Sequence, residues 1–481
     1  MKYADFHFHP AFKTFLGSSD EKKRKNCWKR VKLKGLLKGI DITVGNIMRS
    51  QASLYQLKMG KVNLAVAAIP VFESPMFRGE IFRINNTVIN LVSLAKSVKE
   101  LDEELFLRIA NQQVDLHEMF LSVKRHLMNA SKYFHVPRNY MEIKKKKLNL
   151  IPAIEGANVF LSNYNHYTEK EVLENLDQVK KDDVPYLYLT LCHLSKNPFC
   201  THAFGMKIIK DDELLPIGKG ITKLGFKVIK KALDNLGQKP IFIDIKHMSF
   251  LSRLEYYHLL KKDYPNVPIV ASHCAVNGVS YKKMPIKRVI HENGNVNVDY
   301  FIPRGIAGIT FNPWSINLYD EEISIIINSG GIIGLNLDER ILGVPVKVNN
   351  EFFSKAEFRK HRRFIQKNLH HYKKMDGERN NQVFRNKPIY HLCNNILHMV
   401  KVGGERVWDH LVIGSDFDGL IKPIRECKTA ADFPRLKRKL IKYLPKLAEK
   451  DPGTDYHIGD IKKRVNNIMH DNMVSFLEKY Y

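Results

Sequence analysis

Eight short apolar runs recur along this chain, each far enough from the next to leave room for a helix. They are Lys2–His9, Val62–Ile69, Leu148–Ile154, Val184–Leu191, Pro240–Ile245, Val267–Ser272, Gly331–Leu337 and Leu411–Ser415. The runs are rich in Val, Ile and Leu with little polar alternation, the pattern of strands covered on both faces. Between them, Ile221–Leu236 carries apolar residues at helical spacing and stops at Gly237, and Asp320–Asn328 and Tyr390–Val400 read the same way. Eight strands alternating with helices predict a parallel (β/α)8 TIM barrel, an α/β fold, as one domain over residues 1–481. An open doubly wound sheet is the structural competitor. Three stretches exceed ordinary loops and read as insertions, at about 10–60, 70–147 and 340–387. The second should hold helices within Val88–Leu121, and the third is strongly basic. Long insertions after barrel strands commonly cover an active site. Ile458–Tyr481 reads as a closing helix.

Five of the runs end in a residue that can bind a metal. The first ends His7-Phe8-His9, and strand alternation puts both imidazoles on one face. The third leads into Glu155, the fifth into His247, the sixth into His273 and the eighth into Asp416. In a barrel these ends converge on one rim, where active sites sit. Imidazole and carboxylate donors gathered there suit zinc or a similar first-row divalent ion. Each residue alone has a plainer reading: a surface HxH pair, an ion-paired Glu155, an Asp416 that caps a helix. The conjunction at separate strand ends is what points to a metal site.

Composition narrows the remaining classes. Lys and Arg number 77 against 50 Asp and Glu, for a formal charge of +27. The excess is scattered, with short clusters at Lys22–Lys25, Lys144–Lys147 and Phe358–Phe364, which reads as a solvated surface; no nucleic-acid partner is expected. No apolar stretch is long enough to span a membrane, and MKYADFHFHP is unlike a secretory signal, so neither is expected. The six cysteines are scattered without a CxxC pair, which suits a reducing, cytoplasmic setting. Cys192 and Cys274 flank His193 and His273, but adjacent strand residues point to opposite faces, so they read as buried and inert. Asp418 reads as a loop or supporting group, Asp244 and Asp338 as partners that orient histidines or as ion-pair members, and His202 and His370-His371 as surface or lid residues.

Several longer segments carry a resemblance. They are HFHP at 7–10, IPAIEGANVF at 151–160, LTLCHLSKNPF at 189–199, GITKLGFKVIKKALDNLG at 220–237 and IFIDIKH at 241–247. PIVASHC at 268–274, VIGSDFDG at 412–419 and NNIMHDNMVSFLEKYY at 466–481 complete the set. Together they resemble the membrane (renal) dipeptidase family of metallopeptidases, within the amidohydrolase superfamily. The resemblance implies a binuclear metal-dependent hydrolase that cleaves a dipeptide-like amide through a metal-bridging hydroxide. It implies that Glu155 bridges two divalent ions, most simply zinc, with His7, His9 and Asp416 completing one site and His247 and His273 the other. It further implies that His193 contacts the substrate and polarises the scissile carbonyl, and that Asp416 moves the proton to the leaving nitrogen.

The chain departs from the family pattern in two places. The first motif is HxH where the family has HxD, so His9 replaces a carboxylate with a neutral ligand. The family arginine that grips the dipeptide carboxylate has no counterpart in SINLYDEEI at 315–323; Lys282, Lys283, Arg288 and Arg304 are the candidate substitutes. A small-molecule or dipeptide-like substrate is expected, and a homo-oligomer is open. Two other readings compete. DFHFHP is similar to the strand-end HxH of metal-dependent phosphoesterases, and a barrel that has lost catalysis could serve as a binding protein.

Overall fold

The structure, a computed structural model, describes residues 2–32, 49–84, 86–96, 101–234, 239–292, 294–344, 350–365 and 387–481. Eight strands form one sheet with neighbours in chain order. They are β1 (Tyr3–Phe8), β2 (Val62–Pro70), β3 (Asn149–Glu155), β4 (Tyr188–Thr190), β5 (Phe242–Asp244), β6 (Val270–Cys274), β7 (Ile332–Leu335) and β8 (Leu411–Ile413). Every pairing is parallel. The ends of the sheet meet: Phe8 bridges Phe417 in parallel, Asp416 N–H donates to His7 O at 2.9 Å, and His9 N–H donates to Phe417 O at 2.9 Å. Asp5 strengthens the seam, since its carboxylate accepts Ser415 N–H at 2.9 Å and Ser415 O–H at 2.6 Å. The sheet is therefore a nearly closed barrel, and the open doubly wound alternative is excluded.

All eight apolar runs became barrel strands, because each buries both faces. Alternate residues such as Phe6, Val66, Ile151, Tyr188, Phe242, Val270, Ile332 and Val412 form one buried cluster to which every strand contributes. A cluster touching all eight strands can only fill the barrel interior. Met473, Phe476 and Leu477 of the helix Asn472–Tyr480 join it and close one end. The opposite strand faces, such as Ala65, Ile69, Leu189, Ile243 and Ile333, pack in the larger cluster with the surrounding helices.

The helices expected from spacing are present. Lys223–Leu233 begins at Thr222, whose side chain accepts Gly225 N–H; the expected stop at Gly237 lies outside the described residues. Asp320–Asn328 holds, and Tyr390–Val400 lies within Pro388–Gly403. The closing segment is not one regular helix: Ile461–Asn466 and Asn472–Tyr480 are joined by a π-helical turn over Asn467–Asp471. The second insertion folds into Ser74–Arg78, Leu91–Lys96, Glu103–Ala110 and Leu116–Met128. The third contributes strand Asn350–Ser354 and helix Lys355–Ile365, and its basic remainder, with His370 and His371, lies outside the described residues.

One element is absent from the sequence reading. Ile286–Glu292 and Asn295–Tyr300 form a hairpin, and Asn350–Ser354 pairs with it to make a separate antiparallel sheet. Residues between β6 and β7 therefore form a further insertion. Its local signal was available: an Asn-Gly pair between two alternating segments marks a hairpin. No helix among the described residues is long and apolar enough to cross a membrane.

Candidate metal centre

Glu155, the last residue of β3, lies at the centre of the rim. Five imidazoles turn Nε2 toward its carboxylate: His7 at 3.3 Å, His9 at 3.3 Å, His247 at 3.4 Å, His273 at 3.6 Å and His193 at 3.8 Å. Asp416 completes the ring, with Oδ1 3.5 Å from His9 Nε2 and 3.9 Å from His7 Nε2. Three overlapping groups of donors are close enough to hold an ion: His7–His9–Asp416, His7–Glu155–His273 and Glu155–His193–His247. Every residue singled out from the sequence as a ligand or catalytic group is thus brought to one place.

The donors are held from behind. Tyr188 O–H donates to Phe6 O at 3.0 Å, so at 2.8 Å it accepts the Nδ1–H of His7. His9 Nδ1 faces the Ala68 carbonyl at 3.2 Å and can only donate to it. Ser272 O–H donates to Asp244 at 2.6 Å, so its oxygen accepts His273 Nδ1–H at 2.7 Å. Asp244 also accepts Thr190 O–H at 2.8 Å and Ser272 N–H at 2.9 Å, so of the two readings open for it the structure shows support of a histidine, made through Ser272. With Nδ1 donating, the Nε2 atom of each of these rings carries a lone pair whenever the ring is neutral, as it is when it binds a metal. Yet His7 Nε2 lies 3.2 Å from His9 Nε2, and His273 Nε2 lies 3.2 Å from His247 Nε2. For His7 and His9 these are two lone pairs facing each other, which call for a cation between them, and His247, whose Nδ1 has no partner among the described residues, can turn a lone pair toward His273 in the same way, so the donor set fits divalent ions.

Electrostatics agree. Burial alone would raise the Glu155 carboxyl, but His9, His193 and His7 outweigh it and hold the group well below its ordinary range. Burial pushes His247 down to about 3 and His273 well below the ordinary imidazole value, which keeps both neutral as ligands must be. Burial also opposes charge on His193, but Glu73 and Glu155 lift it to about 9.

Backbone strain concentrates here. His247 and Asp416 adopt φ of 66° and 60°, where side chains rarely go, so both candidate ligands sit on strained strand-to-loop turns. Gly156 follows Glu155 at φ 99°. Gly419 is required by space: a Cβ there would lie 2.1 Å from Asp416 Oδ1 and 2.9 Å from the His9 ring. Gly156 answers to its positive φ and to Val71, 2.7 Å from where a Cβ would stand, and Gly414 to the Ser272 carbonyl at 2.0 Å, so of these glycines Gly419 is the one required by the candidate ligands.

The rim opens into a pocket of about 1090 Å3, the open solvent at its mouth included. Its floor holds His9, Glu155, His193, Lys246, His247 and Asp416, and its wall is largely apolar. Asp418 is no ligand; it pairs with Lys13 at 2.9 Å and accepts Gln51 N–H at 2.7 Å, tying the first insertion to the rim. Asp338 is ion-paired with Arg340. Cys192 and Cys274 are buried free thiols whose burial raises their pKa. His202 is not a surface residue: it is buried, with Nε2 3.3 Å from Leu214 O. Lys282, Lys283, Arg288 and Arg304 are not among the residues lining this pocket. Glu73, Tyr188 and Lys246 escaped the sequence reading. An acid or a lysine immediately beyond a buried strand was the only local signal for Glu73 and Lys246, and nothing local marked Tyr188.

Residues 310–449 match the family model described as membrane dipeptidase, peptidase family M19. None of the curated proteins matches the chain. The fold is similar to that of the dipeptidase AC, a metallopeptidase of family M19, at 16% identity and TM-score 0.52 over 100% of this chain and 99% of that one. It is also similar to a metallopeptidase from Rhodobacter sphaeroides liganded with a phosphinate mimic of the dipeptide L-Ala-D-Ala, at 17% identity and TM-score 0.51 over 100% and 99%. A probable dipeptidase from Pseudomonas aeruginosa shares 15% identity and TM-score 0.50 over 90% of each chain. The solved structures share the barrel, and the matched stretch contains the GSDFDG segment with Asp416. The resemblance to the membrane dipeptidases therefore stands over that stretch, the fold is that of the metallopeptidases, and the groups gathered on the rim are candidates to hold divalent metal.

Proposed function

We propose that this barrel is a binuclear metallohydrolase of dipeptide-like amides, with zinc as its ion. The observation that carries the reading is the set of Nε2 atoms gathered around Glu155, those of His7 and His9 3.2 Å apart and those of His273 and His247 3.2 Å apart. Glu155 would be shared by both ions, with His7, His9 and Asp416 on one and His247 and His273 on the other. Ions held there would supply Lewis acidity and a lowered pKa for water. His193 is assigned to the substrate because it is the farthest imidazole from Glu155 and the most open, with 12% of its side chain exposed. Its Nδ1 is anchored on Glu73 at 2.8 Å, which leaves Nε2 to donate to a carbonyl oxygen as charge develops. An Asp416 carboxylate oxygen would accept the proton of the attacking water and return it to the leaving nitrogen. HxH in place of HxD makes the first ion site less negative by one charge. The reducing, cytoplasmic setting is supported by six buried cysteines, all unpaired.

Elemental analysis of the purified protein, with a dipeptide screen run with and without chelator, tests this reading. Near two zinc-like ions per chain and chelator-sensitive cleavage are expected. No metal uptake even after reconstitution, or cleavage of phosphate esters but not amides, would overturn it.

A further inference from the structure

Lys246 lies one residue before His247 on the segment leaving β5, lines the same pocket, and is 2% exposed. Its Nζ is buried and meets no hydrogen-bond partner among the described residues. A buried ammonium without a partner is costly, and proteins pair such groups wherever they can. The other cations of this region are already engaged. Arg340 clamps Asp338 at 2.9 Å and donates to Leu420 O at 2.9 Å, while Lys13 holds Asp418 at 2.9 Å and Arg49 O at 2.7 Å. The acids lining the pocket are engaged too: Asp338 by Arg340, and Glu155 and Asp416 by the histidines. Among the described residues none that lines the pocket offers Lys246 a counter-charge, which leaves that place to a ligand.

The wall defines the rest of that ligand. Phe12, Phe72, Met76, Phe77, Leu91 and Phe106 line the pocket, supplied by the segments after β1 and β2. Phe12 stacks on Phe72 with centroids 5.2 Å apart, and Phe77 meets Phe106 edge-on at 5.1 Å. An aromatic surface this interlocked suits a large apolar group.

Resting on the hydrolase reading above, we propose that Lys246 is the anion anchor of the pocket and that the preferred substrates are amides bearing one free carboxylate and one large apolar group. The carboxylate pairs with Lys246 Nζ, and the apolar group lies against the aromatic wall. Lys246 is a specificity residue, distinct from the groups that hold ions or move protons.

The test compares three compounds on the metal-loaded protein: the dipeptide Phe-Ala, its C-terminal amide, and Ala-Ala. Wild type should favour Phe-Ala over both by about tenfold or more in kcat/KM. Lys246→Met should raise KM for Phe-Ala by about tenfold or more with kcat and metal content little changed, and should erase the preference for the acid over its amide. Lys246→Arg should restore part of it. Calorimetric binding of phenylbutyrate should weaken in parallel in Lys246→Met. Equal cleavage of Phe-Ala and its amide by wild type, or an unchanged KM in Lys246→Met, would overturn the inference while leaving the hydrolase reading intact. The wild-type comparison decides the matter even if the Met variant folds poorly. Failure of the metal-loaded wild type to cleave any of the three removes the hydrolase reading, and this inference with it.

Discussion

Glu73 Oε2 accepts the Nδ1–H of His193 at 2.8 Å across 120 positions of sequence. The same carboxylate accepts Leu194 N–H at 3.1 Å, Ser195 N–H at 3.2 Å and Ser195 O–H at 2.7 Å. Burial would raise this carboxyl, but His193 and Ser195 outweigh burial and hold it below its usual range. His193 is thereby fixed in tautomer and direction. Glu73→Gln should lower kcat/KM by about 10- to 100-fold with metal content unchanged. Steady-state kinetics beside elemental analysis check this; an unaltered rate would argue against His193 as the group that polarises the substrate.

Tyr188 supports a ligand in the same way. Its hydroxyl accepts from His7 Nδ1 at 2.8 Å. Tyr188→Phe leaves that N–H buried without an acceptor and frees the ring to tilt. Metal affinity should fall by about 10- to 100-fold, read by competition with a calibrated chelator. Equal affinity in the variant would show that His7 needs no such support.

Asp416→Asn keeps the shape of the side chain but removes its ability to take a proton. Turnover should fall by about 10²- to 10⁴-fold while circular dichroism and the melting profile stay close to wild type. Activity retained in this variant would sink the proposed proton path.

Gly419→Ala addresses the GSDFDG turn. The added Cβ would stand 2.1 Å from Asp416 Oδ1, so the carboxylate must move. Activity should drop by at least about tenfold, a larger effect than any change in folding stability, because a shift of an ångström is enough to misplace a catalytic group. A variant as active as wild type would mean that Asp416 tolerates displacement and is not held in a working position.

Stability should fall as pH rises through neutrality. Burial lifts Glu351 to about 7, against hydrogen bonds from Ser315 and Tyr300 that favour its charged form. Glu357 is likewise lifted by burial to about 7. Both sit where the antiparallel sheet joins the barrel. Because the folded protein holds these protons more tightly than the unfolded chain, their contribution is full below the unfolded carboxyl pKa and is lost as pH rises through about 7. For Glu351 the loss amounts to about 3 kcal/mol at most. Denaturant unfolding at pH values from about 5 to 8 should show the decline, and Glu351→Gln should flatten part of it. A wild-type profile that rises across this range, unchanged by the substitution, would contradict the assignment.

The barrel and the residues of its rim are legible in the chain's local pattern. A strand buried on both faces must be apolar along its length, so β1 to β8 announce themselves locally, and a polar residue that ends such a strand stands out, as His7, Glu155, His273 and Asp416 do. It did not reveal the sheet built from Ile286–Glu292, Asn295–Tyr300 and Asn350–Ser354, whose third strand comes from a distant segment. Nor could it show that Glu155 lies between five imidazoles, that Glu73 stands behind His193 and Tyr188 behind His7, or that Lys246 faces no partner. Those are distances between residues far apart in the chain. They depend on how strands stagger and close around the barrel and on which side chains fill its interior, and only the tertiary structure decides them.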